Sequence, residues 1–470
     1  MRSQLRLAIY IMLTAFPCWT FAQLGSDTAR AIDALFERYQ AEAPGCELAI
    51  SRNGQLIYSK TWGMADLEHA VRMTTSSISE AGSVSKQFTA AAILLLEQQG
   101  KLSLDDDVRK YIPELTDYGK PILLRYVMHH SSGLRDWGSV AAIAGWPRTT
   151  KTYNNYDALD IIVHQQHLNF PPNAAFGYSN SNYNLFAIIV ERVSGMSLAA
   201  FTRQYIFIPA GMTHTSWRDD HKRIVPDRAI AYDLTRNLYE TNMPNEDVYG
   251  NGGLLTTAED LLKWNSWFLG GHLGNPSLLS KQLAVDTFSN GQPNEYGAGL
   301  FLSEQHGQLR IEHSGATASY RADLEAFPAS RLSIAWLSNT SAFDGKGNIL
   351  QGVEEVFFPK PGNETAAVPG RRNVPSDRLP TLSYAELQAY TGKYYSEEAQ
   401  TRFTVLVKEG SLYLYRSPQT MILLTPAGKD QFSTDIGGFS GEKGEIVFSP
   451  EHQQMTISVS RAKGVIFNKM

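Results

Sequence analysis

The chain has 470 residues, of which 43% are hydrophobic and 19% charged, and its formal net charge is −5. This composition can bury a sizeable core and excludes a disordered chain, a coiled coil and a collagen-like chain. No lysine- or arginine-rich face stands out, so no nucleic acid partner is expected.

The first segment, 1–22, reads as an export signal. Arg2 and Arg6 supply the positive start, Leu7 to Phe21 is uncharged and largely apolar, and Thr20-Phe21-Ala22 is a small-x-small cleavage site. The apolar stretch is too short to span a bilayer comfortably, and no later segment approaches that length. The expectation is a periplasmic or secreted protein with a cleaved signal and no integral membrane anchor. Cleavage would leave Cys46 as the only cysteine, with no intramolecular disulfide.

From residue 23 to about 358, helix-like and strand-like segments mix. Leu48 to Ser51 and Gln55 to Tyr58 flank Asn53-Gly54, a strong hairpin signal. Thr89 to Gln99 is an apolar helix candidate stopped by Gly100, and Tyr183 to Val193 is another stopped by Gly195. Ala258 to Leu269 is a third, and Leu332 to Leu337 reads as a buried strand. The mixture points to α+β or α/β. Residues 359–380 carry five prolines and no periodicity, which reads as a linker. From 381 to 470 the pattern turns all-β. Phe403, Val405 and Val407 alternate with their neighbours, Gly410 turns the chain, and short strands follow to Phe467. Regular short strands with glycine turns predict a small barrel or sandwich.

Three short motifs carry possible chemistry. In Ser83-Val84-Ser85-Lys86, a lysine three residues along a helix shares the serine's face. A desolvated lysine can be neutral and take the serine's proton. Ser440 and Ser460 begin two competing matches, one in a glycine-rich loop and one in an expected strand, where positions i and i+3 point to opposite faces. Taken alone, Ser83 is better read as a helix cap with a solvated lysine. Tyr178-Ser179-Asn180 offers a phenol to relay a proton and an amide to hold a substrate, with Tyr153-Asn154-Asn155 as a competitor. Its plain alternative is a polar turn. His313-Ser314-Gly315 offers a glycine for close substrate approach and the Ala316 N–H for an oxyanion, with His272-Leu273-Gly274 as a competitor. A lone histidine is more often structural. His129-His130 lacks further ligands at zinc-like spacing, and Asp105-Asp106-Asp107 reads as a turn or cap, so neither a metal nor an organic cofactor is expected.

In order and with their surroundings, these motifs resemble the serine β-lactamase and penicillin-binding-protein superfamily, with its serine–x–x–lysine signature. The closer resemblance is to the class C β-lactamase-related serine hydrolases, which include D-aminopeptidases, DD-carboxypeptidases and esterases. It runs from about Ala31 to Leu337. It includes Gly63-Met64-Ala65-Asp66, His130-Ser131-Ser132-Gly133-Leu134, Gly211-Met212-Thr213-His214-Thr215 and Gly252-Gly253-Leu254. The resemblance implies an α+β domain with an antiparallel sheet and a helical subdomain over 23–358. It implies Ser83, Lys86 and Tyr178 as catalytic residues, and Asn180, His313, Ser314 and Gly315 as substrate-binding ones. The N–H groups of Ser83 and Ala316 would form the oxyanion hole. Which of Lys86 and Tyr178 is the base stays open.

The implied activity is amide hydrolysis through a Ser83 acyl-enzyme. The alternatives are an esterase or weak β-lactam hydrolase and, from another class, a catalytically silent scaffold. Substrates would be small peptides, esters or peptidoglycan-like molecules, and a homo-oligomer is compatible with this reading. Where β-lactamases place a lysine, this chain has His313, so carboxylate preference is expected to strengthen on acidification. Gly392-Lys393-Tyr394-Tyr395 and the strands after it resemble a lipocalin-like β-barrel, expected to be a stabilising or dimerising accessory.

Overall fold

The computed structural model describes residues 24–146, 151–359, 382–417, 420–436 and 443–470. The export segment, the linker past Pro359 and most of the Ser440 motif lie outside the described residues.

Helix α1 (Ser26–Leu35) leads into β1 (Cys46–Arg52) and β2 (Gln55–Trp62), joined at Asn53-Gly54 with φ of 54° and 73°. Both turn residues are left-handed, the geometry that suits a two-residue hairpin and explains the Asn-Gly pair. Helix α2 (Lys86–Gln98) follows a short 3-10 turn, Gly82–Ser85. Helices α3 (Trp137–Ala144), α4 (Asn180–Ser194) and α5 (Ala258–Leu269) come next. Then strands β3 (Phe301–Gln305), β4 (Gln308–Thr317), β5 (Tyr320–Phe327) and β6 (Leu332–Ser338) precede helix α6 (Ile349–Phe357).

The six strands form one antiparallel sheet, ordered β3-β4-β5-β6-β1-β2. Both faces of its centre are covered. Ile32, Leu48, Ile50, Ile334, Leu350 and Val353 pack together on the α1/α6 side. Ala49, Ala335, Leu337, Leu261 and Phe88 belong to the main core. That is why the strand centres, Leu48–Ile50 and Ile334–Leu337, read as short apolar runs rather than alternating ones. Helices α2 and α4 are buried on all sides over Lys86–Leu96 and Asn180–Val190. Their apolar character therefore extends round the helix, and Gly195 ends α4 with φ 73°. Among the described residues no single helix is long and apolar enough to cross a membrane.

The C-terminal strands are β7 (Gly392–Ser396), β8 (Thr401–Lys408), β9 (Ser411–Ser417), β10 (Thr420–Gly428), β11 (Gln431–Thr434), β12 (Gly444–Phe448), β13 (Gln454–Val459) and β14 (Ala462–Lys469). They close into an eight-stranded barrel, sealed where Tyr394 of β7 pairs with Lys469 of β14. Alternate residues such as Phe403, Leu414, Phe432, Phe448, Met455 and Phe467 fill its interior. The architecture is thus the expected α+β one, followed by an all-β barrel. The Ser460 motif differs from the strand expected there: Ser460 and Arg461 form the tight turn between β13 and β14.

Candidate active site

Ser83 sits in the 3-10 turn immediately before α2, one turn ahead of Lys86. The Lys86 side chain is buried, and its Nζ lies 3.0 Å from Ser83 Oγ, 3.0 Å from Asn180 Oδ1 and 2.5 Å from the Asn251 carbonyl. A neutral amine has two N–H donors and one lone pair. It can donate to Asn180 and Asn251 and accept from the Ser83 hydroxyl, which satisfies all three contacts. Burial, reinforced by the nearby Arg461 charge, holds the Lys86 amine well below its usual range. The site favours the proton-accepting form of this lysine.

Tyr178 lies across the amine, its ring centroid 4.8 Å from Lys86 Nζ. Its phenol hydrogen-bonds Ser83, and burial raises its pKa well above the usual range, so it stays protonated. A lowered amine beside Ser83 favours accepting a proton, and a raised phenol favours holding one.

Asn180 begins α4, and its backbone N–H donates to Asp136 Oδ2 at 2.7 Å. The loop 130–137 interlocks with this helix start. Ser181 Oγ donates to the Arg135 carbonyl at 2.7 Å, and Asn182 bonds His130 Nδ1 at 3.0 Å. The His130-Ser131-Ser132-Gly133 motif thereby positions Asn180 and packs against Tyr178. His130 also packs its ring 4.3 Å from Tyr178, and burial pushes it toward the neutral form.

The β4 edge faces Ser83. Ser314 and Ala316 are exposed, while His313 and Gly315 are buried. A Cβ on Gly315 would lie 2.0 Å from the Ala81 carbonyl oxygen and 3.1 Å from the Ser83 nitrogen. A Cβ on Gly82 would lie 2.6 Å from the Ala316 nitrogen. Only glycine at both positions lets the helix start and the strand edge come this close, which brings the Ser83 and Ala316 nitrogens near each other. Gly315→Ala is expected to lower turnover and cost about 1–3 kcal/mol, since backbone atoms cannot move aside as a side chain can. Melting and kcat measured together check this, and wild-type values for both would contradict it.

His313 departs from the expected charge role. Its Nδ1 bonds the Ser314 carbonyl at 2.6 Å, so that nitrogen carries the proton, and Nε2 accepts from the Tyr296 hydroxyl at 3.1 Å. Burial pushes its pKa down to about 3. Burial thus favours the neutral ring, which gives no ground for a carboxylate preference that strengthens on acidification. The ring braces the strand instead.

The competing motifs fall elsewhere. Asn154 caps the helix Asn155–Val163 in a capping box with Asp157. His272 lines a separate cavity with Trp267 and Ser51. Asp107 caps the turn Val108–Lys110.

Sequence reasoning missed Asn251, Asp136, Tyr296 and Arg461. Asn251 adjoins the Gly252-Gly253 pair, a signal of close backbone approach. Arg461 had no usable local signal. It belongs to the barrel, yet its guanidinium lies 4.9 Å from the Tyr178 ring centroid. The barrel therefore places a side chain against Tyr178.

The beta-lactamase family model matches residues 32–353. The chain is 29% identical over 425 residues to penicillin-binding protein 4* of Bacillus subtilis, covering 85% of this chain and 89% of that protein. It is 30% identical over 312 residues to a D-aminopeptidase of Gluconobacter oxydans, covering 66% of this chain but only 58% of that protein. Its fold resembles the octameric penicillin-binding protein homologue from Pyrococcus abyssi, with a TM-score of 0.62 and 22% identity over 94% of this chain and 99% of that one.

Proposed function

The chain belongs to the beta-lactamase family of serine hydrolases, and we propose that it cleaves amide bonds of small peptides containing D-residues through a Ser83 acyl-enzyme. The observation that carries this reading is the triple contact of buried Lys86 Nζ with Ser83, Asn180 and Asn251. Neutral Lys86 takes the Ser83 proton as Oγ attacks the carbonyl carbon. The Ser83 and Ala316 N–H groups hold the oxyanion. The proton returns through Tyr178 to the leaving amine as the C–N bond breaks. Water then attacks the acyl-enzyme, with Lys86 again receiving its proton, and Ser83 is restored. No metal or organic cofactor takes part.

The similarity to a D-aminopeptidase supports peptides of D-residues over simple esters. Neutral His313 argues against efficient β-lactam hydrolysis, because no lysine charge stands at that strand position. Export to the periplasm or medium is part of the proposal and rests on the 1–22 signal pattern.

The test begins with a fluorophosphonate probe and peptide mapping. The expected adduct is on Ser83, absent in Ser83→Ala. A panel of D-aminoacyl peptides, short esters and cephalosporins then ranks the substrates. Failure to label Ser83 would leave the silent-scaffold alternative standing, and faster turnover of esters than of every peptide would replace the peptidase reading.

A further inference from the structure

The cavity that His272 lines, about 360 Å³ in volume, lies between the β1–β2 hairpin and helix α5. Among the described residues that line it, none belongs to the Ser83 site. Helix α5 supplies Glu259, Leu262, Lys263, Ser266 and Trp267. These fall at i, i+3, i+4, i+7 and i+8, which is one face of a helix. The hairpin forms the opposite wall with Ser51 and Leu56, and its turn closes on the helix at Gly54. A Cβ there would lie 2.7 Å from Ser266 Oγ, so the glycine that the turn needs also lets the hairpin approach α5.

Two observations point to the occupant. Strand alternation turns Ser51 to the α5 side of the sheet, with Ala49. Ser51 is only 5% exposed, and its hydroxyl has no hydrogen-bond partner among the described residues. A buried polar group facing a cavity favours a polar ligand atom there. The second observation is the charge. Lys263 Nζ is matched by Asp260 Oδ1 at 2.7 Å, a carboxylate with no exposed surface. Half-buried Glu259 has the neutral Ser59 hydroxyl, which donates to its Oε1 at 2.7 Å. Glu47, on the same strand face as Ala49 and Ser51, registers the acidic excess. Burial, then Glu259 and Asp260, raise its carboxyl pKa and outweigh a bond from the Ala258 N–H.

The unmatched charge of the cavity is therefore negative, and it stands at one end of an apolar stripe. Trp267 lies two helical turns beyond Glu259, with Leu262 between them on the same face. A cation at Glu259 would gain a charge-assisted hydrogen bond, and an aromatic face suits the apolar part attached to it. We propose that this cavity binds a small organic amine, its ammonium held by Glu259 and Ser51 and its aromatic or apolar body lying along Leu262 and Trp267. The site stands apart from the catalytic residues, so it does not depend on which bond Ser83 cleaves.

The test is calorimetric titration of the full chain with two probes of matched shape, tryptamine and the neutral alcohol tryptophol. Tryptamine should bind one-to-one and more tightly than tryptophol. Glu259→Gln keeps an acceptor for Ser59 and removes the charge. It should weaken tryptamine by at least about 10-fold, the low end for losing a hydrogen bond to a charged group, and leave tryptophol unchanged. Trp267→Leu should weaken both probes, since it removes the ring and keeps an apolar side chain. Unchanged tryptophol binding in Glu259→Gln separates a lost charge contact from a damaged fold. Equal wild-type affinities for the two probes, or a tryptamine preference that survives Glu259→Gln, would overturn the proposal. So would equal weakening of both probes by Glu259→Gln, or no saturable binding of either below about 10 mM.

Discussion

Lys86→Met is expected to lower kcat by about 10²–10⁴-fold, the usual range for lost acid–base catalysis. The side chain contacts Ser83 Oγ directly, and methionine preserves its apolar stem while removing the lone pair. Because Lys86 is assigned no substrate contact, the loss should fall on kcat more than on KM. The pH dependence has a definite sign. Protonated Lys86 cannot accept the serine proton, so the wild-type rate should rise with pH through the lowered lysine pKa and then level off. Tyr178 is shifted upward, so ionisation of its phenol should add no falling limb until strongly alkaline pH.

Stability follows the same group. Between the lowered folded-state pKa and the unfolded value near ~10.4, the unfolded chain binds the extra proton. Stability must therefore rise with pH over that window relative to a chain lacking Lys86. The wild type should gain on Lys86→Met in melting temperature as pH rises from 7 toward 10. Near-normal kcat in Lys86→Met, or a wild type that loses ground as pH rises, would remove Lys86 from the role of base.

What the sequence displayed depended on the range of the physics involved. The Asn53-Gly54 hairpin and helix Ala258–Leu269 are set by local turn chemistry and periodicity, and both stand where those signals put them. Ser83 and Lys86 were legible because their spacing lies within one helical turn. Asn251 was half-legible, since Gly252-Gly253 marks a tight backbone but does not say that the preceding carbonyl meets a lysine. His313 was misjudged because the reference pKa describes a solvated ring, whereas burial and two hydrogen bonds set this one. Arg461 was illegible for a different reason. Its Tyr178 partner is hundreds of residues away in the chain, and a turn between barrel strands gives no sign of what the barrel rests on.

That resting surface yields the second large effect. Arg135 and Glu398 form a buried ion pair at 2.7 Å, with side chains only 1% and 5% exposed. Arg135 also donates to Gln165 Oε1 at 3.1 Å, as well as to the Lys463 and Gly464 carbonyls of the barrel. The Asp136 N–H donates to the Arg461 carbonyl, and the Lys463 N–H to Asn169 Oδ1. Arg135→Met leaves the buried Glu398 carboxylate with only His167 at 3.2 Å and the Gln166 and Ile466 N–H groups as partners, and breaking a buried pair from one side typically costs about 3–5 kcal/mol. The barrel should then separate from the hydrolase part before either unfolds, and activity should fall with it. Adding Glu398→Gln should recover part of the stability, because the uncompensated charge is gone.

Acid tests the same contact. Burial pushes the Glu398 carboxyl up, but Arg135 and the Gln166 and Ile466 N–H groups outweigh it and leave its pKa lowered. A lowered carboxyl stabilises the folded state above its unfolded pKa near ~4.3, and this stabilisation is lost as pH falls through the folded value. Barrel docking, followed by limited proteolysis near the 359–380 segment or by hydrogen exchange at Asp136 and Lys463, should therefore weaken below about pH 4. If Arg135→Met melts like the wild type, or if exchange at the turn is indifferent to acid, the ion pair does not hold the barrel against the site.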